Sequence, residues 1–403
     1  MYRHDQPDID ERLVSLDAYR GFIMLAMASA GFALPQVAKH FPDQPAWKFL
    51  GYQFDHVQWV GCSFWDLIQP SFMFMVGAAM AYSFARRRAE GHSFGRMLGH
   101  ALYRSAVLIL LGIFLSSAGH QRTDFTFVNV LTQIGLGYTF LFLLWWLGHA
   151  AWQLLAIALI LGGYWCLFYF HPAPAADFNY KSVGVPDDFP HPAGIEAHWD
   201  KNTNAAAHVD RWLLNRFPRE KPFEYNAGGY QTLNFIPSLA TMVFGLLAGG
   251  ILRASRGRGF KLGLLVASGA VLAAGGWLLN YYGLCPLVKR IWTPSWALYS
   301  SGLTFLMLAG FYLVVDIIGL RRVAWPLAVV GMNSILMYCM AQLIGGGNGW
   351  IARSIETHFG PQVFTGYGRL DPVYEPIVRL AVVLAVMWLV CVWLYRQRIF
   401  VKI

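Results

Sequence analysis

The chain has 403 residues, of which 56% are hydrophobic and only 13% are charged. Soluble domains average about 25% charged residues, so this composition excludes an ordinary soluble protein and indicates a membrane protein. The formal net charge is +9, but the basic residues cluster in short loops between apolar runs. That pattern is typical of membrane orientation, and we therefore expect a protein that lies in the lipid bilayer and binds no nucleic acid.

Ten segments are long and apolar enough to cross a bilayer as helices, for which about 17–25 residues are needed. They lie at about residues 14–36, 63–85, 101–118, 127–147, 151–170, 233–252, 261–280, 295–318, 326–346 and 373–395. Because lipid cannot satisfy open backbone groups, the predicted fold is all-α, a polytopic membrane helix bundle. The N-terminus lacks the basic-then-apolar order of a signal peptide. We therefore expect the first apolar run to be a retained helix of one transmembrane domain spanning residues 1–403.

The basic residues concentrate in alternate short loops, at about residues 86–104, 253–261, 321–322 and 396–402. The positive-inside rule then predicts that both termini are cytoplasmic. The long loop at 171–232 would face the outer compartment. It begins Pro-rich and becomes helix-capable around AAAHVDRWLLNRF, which favours a structured lid over the outer mouth, with a plain solvated loop as the alternative.

Cysteine spacing gives no sign of a metal site, because the five cysteines are scattered and form no CxxC pair. A disulfide between Cys62 and Cys285 is weakly supported. No GxSxG, HExxH or Walker A pattern occurs in suitable context, which excludes the common soluble hydrolases, metalloproteases and P-loop ATPases. We expect no metal.

The stretch at 55–82 holds the sharpest candidate site. Asp66 is a carboxylate inside an apolar segment, where an ionisable group is costly and by default indicates function. His56, shortly upstream, carries the side chain best suited to proton transfer near neutral pH. Asp66 could orient the imidazole of His56, directly or through water, if the intervening turn brings the two together. For His56 and Trp59, an interfacial aromatic belt is the structural alternative.

A second candidate lies in the first predicted helix, where Asp17 and Arg20 are three residues apart and share one helical face. They could pair with each other or with lipid headgroups, or Arg20 could anchor an anionic ligand. Asn129 and Gln133 also share a helix face, and Asn333 is a similar polar intrusion. Interhelical hydrogen bonds explain such residues at least as often as ligand contacts do.

At the outer rim, Lys289 lies in the sequence CPLVKRIWTPSW beside Trp292. Cationic and aromatic residues at such a position often anchor a helix end at the headgroup level. The alternative is contact with a substrate.

Four stretches resemble the heparan-α-glucosaminide N-acetyltransferase family of multispanning acyltransferases. RLVSLDAYRG at 12–21 is similar to its opening motif, and the spacing from His56 to Gly77 matches its H-x-x-W-x-G-x4-D-L-x-x-P-x-F-x-F-x-x-G pattern in full. NVLTQIGLGY at 129–138 and GMNSILMY at 331–338 are similar to two further family regions. The stretches follow the family's order along the chain.

The resemblance implies transfer of an acetyl group from cytosolic acetyl-CoA to an amino sugar or glycan acceptor across the membrane. His56 would act as a general base or as a transient acetyl carrier, with Asp66 as its catalytic partner. The expected donor-binding residues are Arg20, Asp17, Asn129 and Gln133. The expected acceptor-binding residues are Trp59, Asn333, Lys289 and Trp292. The resemblance also makes a homodimer a reasonable assembly, in a bacterial inner membrane or, for a eukaryotic chain, a lysosome-like membrane.

The sequence departs from the family at two places. Gly31 occupies a position where many members have an asparagine, and YNAGGYQT at 225–232 replaces an acidic D-P-E-G-L-L-S-T. A protonated sugar amine favours nearby carboxylates, so O-acetylation of a cell-surface glycan is an open alternative. From a different class, a transporter of a glycan or acidic metabolite would move its substrate without consuming a thioester.

Overall fold

The computed structural model of the protein describes residues 13–175, 177–186, 188–191 and 194–401. Within these ranges the regular secondary structure is helical, apart from an isolated β-bridge between Val60 and Val288. The all-α prediction is therefore confirmed. The α-helices are α1 Val14–Ala28, α2 Leu34–Ala38, α3 Pro45–Gln53, α4 Ile68–Ala89, α5 Phe94–Ser117, α6 Val130–Trp146, α7 Ala150–Tyr169, α8 Ala205–Leu214, α9 Phe235–Arg253, α10 Arg258–Tyr281, α11 Pro294–Phe311, α12 Arg321–Met332, α13 Ser334–Leu343, α14 Trp350–Phe359 and α15 Glu375–Arg396.

Seven stretches of the described chain are single helices long and apolar enough to cross a membrane. The other three predicted segments differ in shape. The segment at 127–147 is the shorter apolar helix α6, and those at 14–36 and 326–346 are pairs of helices bent by 44° and 69°. The number of crossings, predicted as about ten, remains a prediction.

The two bends have local backbone causes. Between α1 and α2, the residues Ala30, Gly31, Phe32 and Ala33 all have positive φ angles, a left-handed conformation that cannot continue a right-handed helix. Between α12 and α13, Asn333 leaves the helical region with φ −120° and ψ 35°. Pro35 lies in the first turn of α2, directly after the first break, whereas the second break, at Asn333, has no proline between the two helices.

The contacts divide the described chain into two compact units. The first unit comprises residues 59–61 and 72–306, and the second comprises the described residues before 59, together with 62–71 and 307–401.

In the first unit, α4 and α9 pack with their backbones in close contact. A Cβ atom at Gly245 would overlap the carbonyl oxygen of Phe74, and one at Gly249 would lie 2.7 Å from that of Ala78. Since both partners advance along the chain together, the two helices are parallel and end on the same side. Small residues commonly permit this close packing of membrane helices.

The second unit is built on an equally close crossing of α1 and α12. A Cβ atom at Gly21 would overlap the Leu327 carbonyl oxygen, and one at Gly331 would overlap that of Asp17. Two of the family-like motifs, RLVSLDAYRG and GMNSILMY, therefore meet in the structure through their glycines.

The 171–232 segment contains short 3-10 turns at Tyr180–Val183 and Gly194–Trp199 and the predicted helix, α8. Its aromatic side chains share a buried cluster with Trp59, including Phe189 and Trp199. The segment is folded where it is described, while its action as a lid remains a prediction.

Candidate active site

His56 and Asp66 are in direct contact in the second unit. The Nδ1 atom of His56 lies 2.7 Å from Oδ1 of Asp66. The Asp66 side chain is 1% exposed and that of His56 is 34% exposed. A buried carboxylate therefore holds an imidazole that remains partly accessible.

The turn between them is set by a capping box at the start of the α4 span. The backbone N–H of Ser63 donates to Oδ2 of Asp66 at 3.2 Å, and the backbone N–H of Asp66 points back at the Ser63 hydroxyl at 3.3 Å. This is the reciprocal arrangement that a serine and an acid three residues later form at a helix N-terminus. The cap fixes the position of the carboxylate at which His56 binds.

Further hydrogen bonds hold this turn in place. Oδ2 of Asp66 also accepts from the backbone N–H of Val57 at 3.2 Å, and it lies 3.0 Å from the Ser63 hydroxyl. The same hydroxyl lies 2.6 Å from the carbonyl oxygen of Asp55. From α3, the Gln53 side chain accepts the N–H of Phe64 at 2.9 Å. These hydrogen bonds join Asp55 and Val57 to Ser63 and Asp66 and so close the loop from His56 to Asp66.

This geometry determines which nitrogen of His56 can act as a base. An ionised carboxylate only accepts hydrogen bonds, so Nδ1 must be the donor. In the neutral imidazole the lone pair is then on Nε2. A base oriented by a carboxylate is the arrangement of the well-known acyl-transfer sites, so the pair is chemically suited to proton transfer during acyl transfer.

Asp17 and Arg20 also lie in the second unit, on α1. The Nη1 atom of Arg20 is 3.4 Å from Oδ1 of Asp17 and 3.4 Å from the carbonyl oxygen of Gly331. The helix packs against the beginning of the α4 span through a 2.9 Å hydrogen bond from Tyr19 to Ser71. Pairing of Asp17 with Arg20, one of the alternatives left open by the sequence, is present, and donor binding by the two residues remains a prediction.

Asn129 and Gln133 make structural hydrogen bonds in the first unit. Asn129 caps α6 by accepting from the backbone of Thr132 at 3.0 Å, and its amide donates to the Gly112 carbonyl at 3.1 Å. Gln133 donates to the carbonyl oxygens of Phe127 and Thr232 at 2.6 Å and 3.1 Å. These contacts correspond to the structural alternative considered for both residues, and their donor-binding role remains untested.

The predicted acceptor-binding residues are buried. Trp59 is 2% exposed, and its indole N–H donates to the Trp199 carbonyl at 3.2 Å. Trp292 is buried and donates to the Thr241 hydroxyl at 3.3 Å. Lys289 is also buried, with its Nζ atom 6.0 Å from the centre of the Tyr230 ring. Lys289 and Trp292 therefore do not lie at a rim open to lipid headgroups, which was the alternative for these two residues.

Asn333 joins the α12–α13 bend to the C-terminal segment within the second unit. Its amide donates to the Ile399 carbonyl at 3.1 Å, and its Oδ1 accepts from the N–H of Val401 at 2.9 Å. These bonds satisfy a polar side chain that is fully buried, and an acceptor-binding role for Asn333 remains a prediction.

Two residues that the sequence reasoning missed are important in the structure. Ser63 forms the cap described above, and the pattern Ser63-x-x-Asp66 before an apolar run is a recognised sequence signal for it. Asp210, on α8, is fully buried and accepts the N–H of Thr232 at 2.9 Å. Burial raises the pKa of Asp210 to about 6, and no simple sequence pattern distinguishes it from other acids of the 171–232 segment.

The structure also bears on the disulfide and on metal binding. All five cysteines are free thiols, so the disulfide considered between Cys62 and Cys285 does not form. Over the parts of the chain that the structure describes, no three His, Cys, Asp or Glu side chains come together in a way that could hold a metal ion.

The fold and the His56–Asp66 pair together define a helical protein of the multi-pass membrane type with a candidate acid–base site. No family model matches the chain. Among curated proteins, it is similar to heparan-alpha-glucosaminide N-acetyltransferase from Homo sapiens, with 24% identity over 97% of this chain and 60% of that protein. The protein of the same name from Mus musculus is 24% identical over 81% of this chain and 53% of its own length.

These similarities support the distant family relationship that the sequence motifs indicated. The chain spans less than two thirds of the length of each of these relatives. Both relatives are named as N-acetyltransferases, which supports an acetyltransferase family and leaves donor, acceptor and mechanism to be proposed.

Proposed function

We propose that the protein is an integral membrane acetyltransferase that moves an acetyl group from cytosolic acetyl-CoA to an amino-sugar or glycan acceptor on the extracytoplasmic side. The observation that carries the proposal is the 2.7 Å contact between His56 and the buried Asp66. A solvent-shielded carboxylate that fixes the tautomer of an accessible imidazole has a direct use in acyl transfer. A carboxylate that served only as a helix cap would not need a histidine beside it.

In the proposed reaction, Nε2 of His56 removes a proton from the attacking amine or hydroxyl. The new N–C or O–C bond forms at the thioester carbonyl, the C–S bond breaks, and the proton passes to the departing thiolate to give free CoA. Asp66 holds the imidazole in the required orientation and tautomer and stabilises its cationic form during the transfer. In the alternative sequence, His56 accepts the acetyl group first and passes it to the acceptor in a second step.

Arg20 is the proposed anchor for an anionic part of the donor. Its guanidinium is held beside Asp17 and Gly331 and is partly accessible. Arginine suits phosphate groups because its planar fork forms paired, charge-assisted hydrogen bonds. With both termini cytoplasmic, as the basic loops favour, α1 begins on the side from which acetyl-CoA arrives. The resemblance further supports a homodimer, which we include in the proposal.

One observation favours a hydroxyl acceptor over an amine. In the first unit, the stretch that replaces the family's acidic motif places Tyr230 against two cations, Lys289 and Arg290, and Arg290 also donates to the Gly228 carbonyl at 2.6 Å. The replaced motif is acidic in the family, and carboxylates would favour a protonated amine. O-acetylation is therefore the second candidate activity, and the chemical nature of the product decides between the two.

The test is acetyl-CoA consumption by the purified full chain in nanodiscs, with a panel of amino sugars and hydroxylated glycans as acceptors. Wild type is compared with His56→Ala and with His120→Ala, an exposed histidine on another segment. We expect acceptor-dependent thioester loss in wild type and in the control, and its disappearance in His56→Ala. Folded protein that moves an acceptor across vesicles without thioester consumption would instead support the transporter.

A further inference from the structure

The first unit contains a large groove that the proposed chemistry does not use. We call it the basic groove. It has a volume of about 880 Å³ and is lined by residues of α4, α6, α7, α9, α10 and α11. Its walls are mainly apolar and include Leu154, Phe244, Leu264, Val271 and Phe305. Three arginines, Arg88, Arg253 and Arg256, also line it.

The arginines belong to one end of the groove. Arg88 lies in the last turn of α4 and Arg253 is the last residue of α9. Because α4 and α9 run parallel, these two helix ends are on the same side. Arg256 follows in the short connection between α9 and α10. The basic groove therefore has an apolar body and one cationic end.

The three guanidinium groups lie over aromatic rings. Arg88 lies 5.1 Å from the Trp146 ring centre, Arg253 5.9 Å from that of Tyr82, and Arg256 5.8 Å from that of Phe260. Within the described ranges, no Asp or Glu forms an ion pair with any of the three. All three arginines are exposed, so an anion can reach them.

The walls of the basic groove reach surfaces that would face lipid. Leu154, Phe260, Leu264 and Val271 are 40–71% exposed. The α7 and α10 spans are only 28% and 17% buried over their most apolar windows. On a membrane-spanning helix, such an exposed apolar face contacts hydrocarbon. A molecule in the groove would therefore have its apolar part continuous with the acyl chains of the bilayer.

We propose that the basic groove is a binding site for an anionic phospholipid. The phosphate binds Arg88, Arg253 and Arg256, and one acyl chain lies along Leu154 and Leu264. Arginine pairs with phosphate oxygens through forked, charge-assisted hydrogen bonds. The side that the basic loops place in the cytoplasm is also the leaflet where anionic lipids attract clustered basic residues. This site is independent of the transferase proposal, because it requires only that the protein lies in a bilayer.

The experiment measures lipid retention by the full chain. Protein is reconstituted in phosphatidylcholine nanodiscs containing a minor fraction of phosphatidylglycerol, extracted mildly, and its bound lipid is measured by native mass spectrometry. The combined variant Arg88→Gln, Arg253→Gln and Arg256→Gln should retain at least about tenfold less phosphatidylglycerol, since each arginine near an anionic surface contributes roughly a factor of five. The matched control is Arg321→Gln, Arg322→Gln and Arg396→Gln, three exposed arginines outside the first unit.

A second pair of variants tests the apolar body without changing charge. Leu264→Trp fills the groove, whereas Val266→Trp places the same ring on an exposed α10 position that does not line it. Only Leu264→Trp should lower retention. Unchanged retention in both groove variants, or an equal loss in both controls, would overturn the site. Displacement of the lipid by free CoA would also overturn it, by assigning the groove to an anionic thioester donor.

Discussion

Replacing Asp66 by asparagine changes the charge and hydrogen bonding at His56 while preserving the shape of the side chain. Oδ2 of Asp66 faces two backbone donors, the N–H groups of Val57 and Ser63. An amide nitrogen cannot accept from either, so the asparagine oxygen should turn toward Val57 and Ser63. The amide nitrogen then faces His56 and donates to Nδ1. The neutral imidazole consequently carries its proton on Nε2, where the lone pair of the proposed base should be.

The expected effect on catalysis is large and the effect on folding is smaller. Loss of the correct tautomer and of the charge beside a developing imidazolium should lower kcat by about 10²- to 10⁴-fold, the range that general-base catalysis contributes. The lost charge-assisted bond costs about 1.5–3 kcal/mol of stability at most, because the asparagine oxygen still accepts at the cap. The measurement is acceptor-dependent thioester loss over a range of pH, alongside the melting temperature in the same detergent.

Ser63→Ala is the matched control for the Asp66 prediction. It removes the cap hydroxyl, at a cost of about 0.5–2 kcal/mol, and leaves the carboxylate facing His56. We expect a lower melting temperature with kcat within about tenfold of wild type, because Asp66 keeps its charge and the hydrogen bonds from the backbone N–H groups of Val57 and Ser63. If Asp66→Asn is folded and turns over at nearly the wild-type rate, the tautomer argument is wrong.

Three further predictions test other parts of the molecule. Arg20→Gln should raise the acetyl-CoA KM about tenfold or more through loss of a charge-assisted contact, with little change in Arg122→Gln; equal KM values would remove Arg20 from the donor site. Gly331→Ala should lower the free energy of unfolding by about 1–3 kcal/mol, the usual cost of overpacking, because the new Cβ overlaps the Asp17 carbonyl oxygen. In the control Gly99→Ala, the new Cβ meets open space, so thermal stability should be unchanged or slightly higher. Burial raises the pKa of Asp210 to about 6, so the native state binds its proton more tightly and loses up to roughly 3 kcal/mol as pH rises from about 4 to 6. The melting temperature of Asp210→Asn should therefore rise relative to that of wild type as the pH increases across that range. A difference in melting temperature that does not change with pH would contradict this.

The sequence was sufficient for the features that depend on length and polarity. Apolar runs predicted the helical segments because a bilayer requires both length and internal hydrogen bonding. The bends were not predictable in the same way. The left-handed residues Ala30, Phe32 and Ala33 are ordinary apolar residues, which rarely adopt this conformation, so their residue types gave no sign of it.

The residues predicted at the outer rim show that residue type does not predict burial. Trp59, Lys289 and Trp292 have the residue types of a membrane interface, yet all three are buried. Trp59 is covered by Phe189 and Trp199 of the 171–232 segment, which is more than a hundred residues away in the chain. Local residue type predicts preference for an interface, whereas burial depends on where a distant segment folds.

Asp66 makes two different contacts, one with Ser63 in its own helix cap and one with His56, ten residues earlier in the chain. As the acid of a capping box, Asp66 is explained by the helix start alone, and a glutamate or an uncharged acceptor would serve a cap nearly as well. The contact with His56 adds a requirement that the cap does not, namely an acceptor-only group on the side facing Nδ1. The functional interpretation therefore depends on the separation of two measurements: substitutions of Ser63 should affect mainly stability, and substitutions of Asp66 should affect mainly turnover. If both substitutions lowered stability and turnover in the same proportion, the carboxylate would be a helix cap that lies beside a histidine.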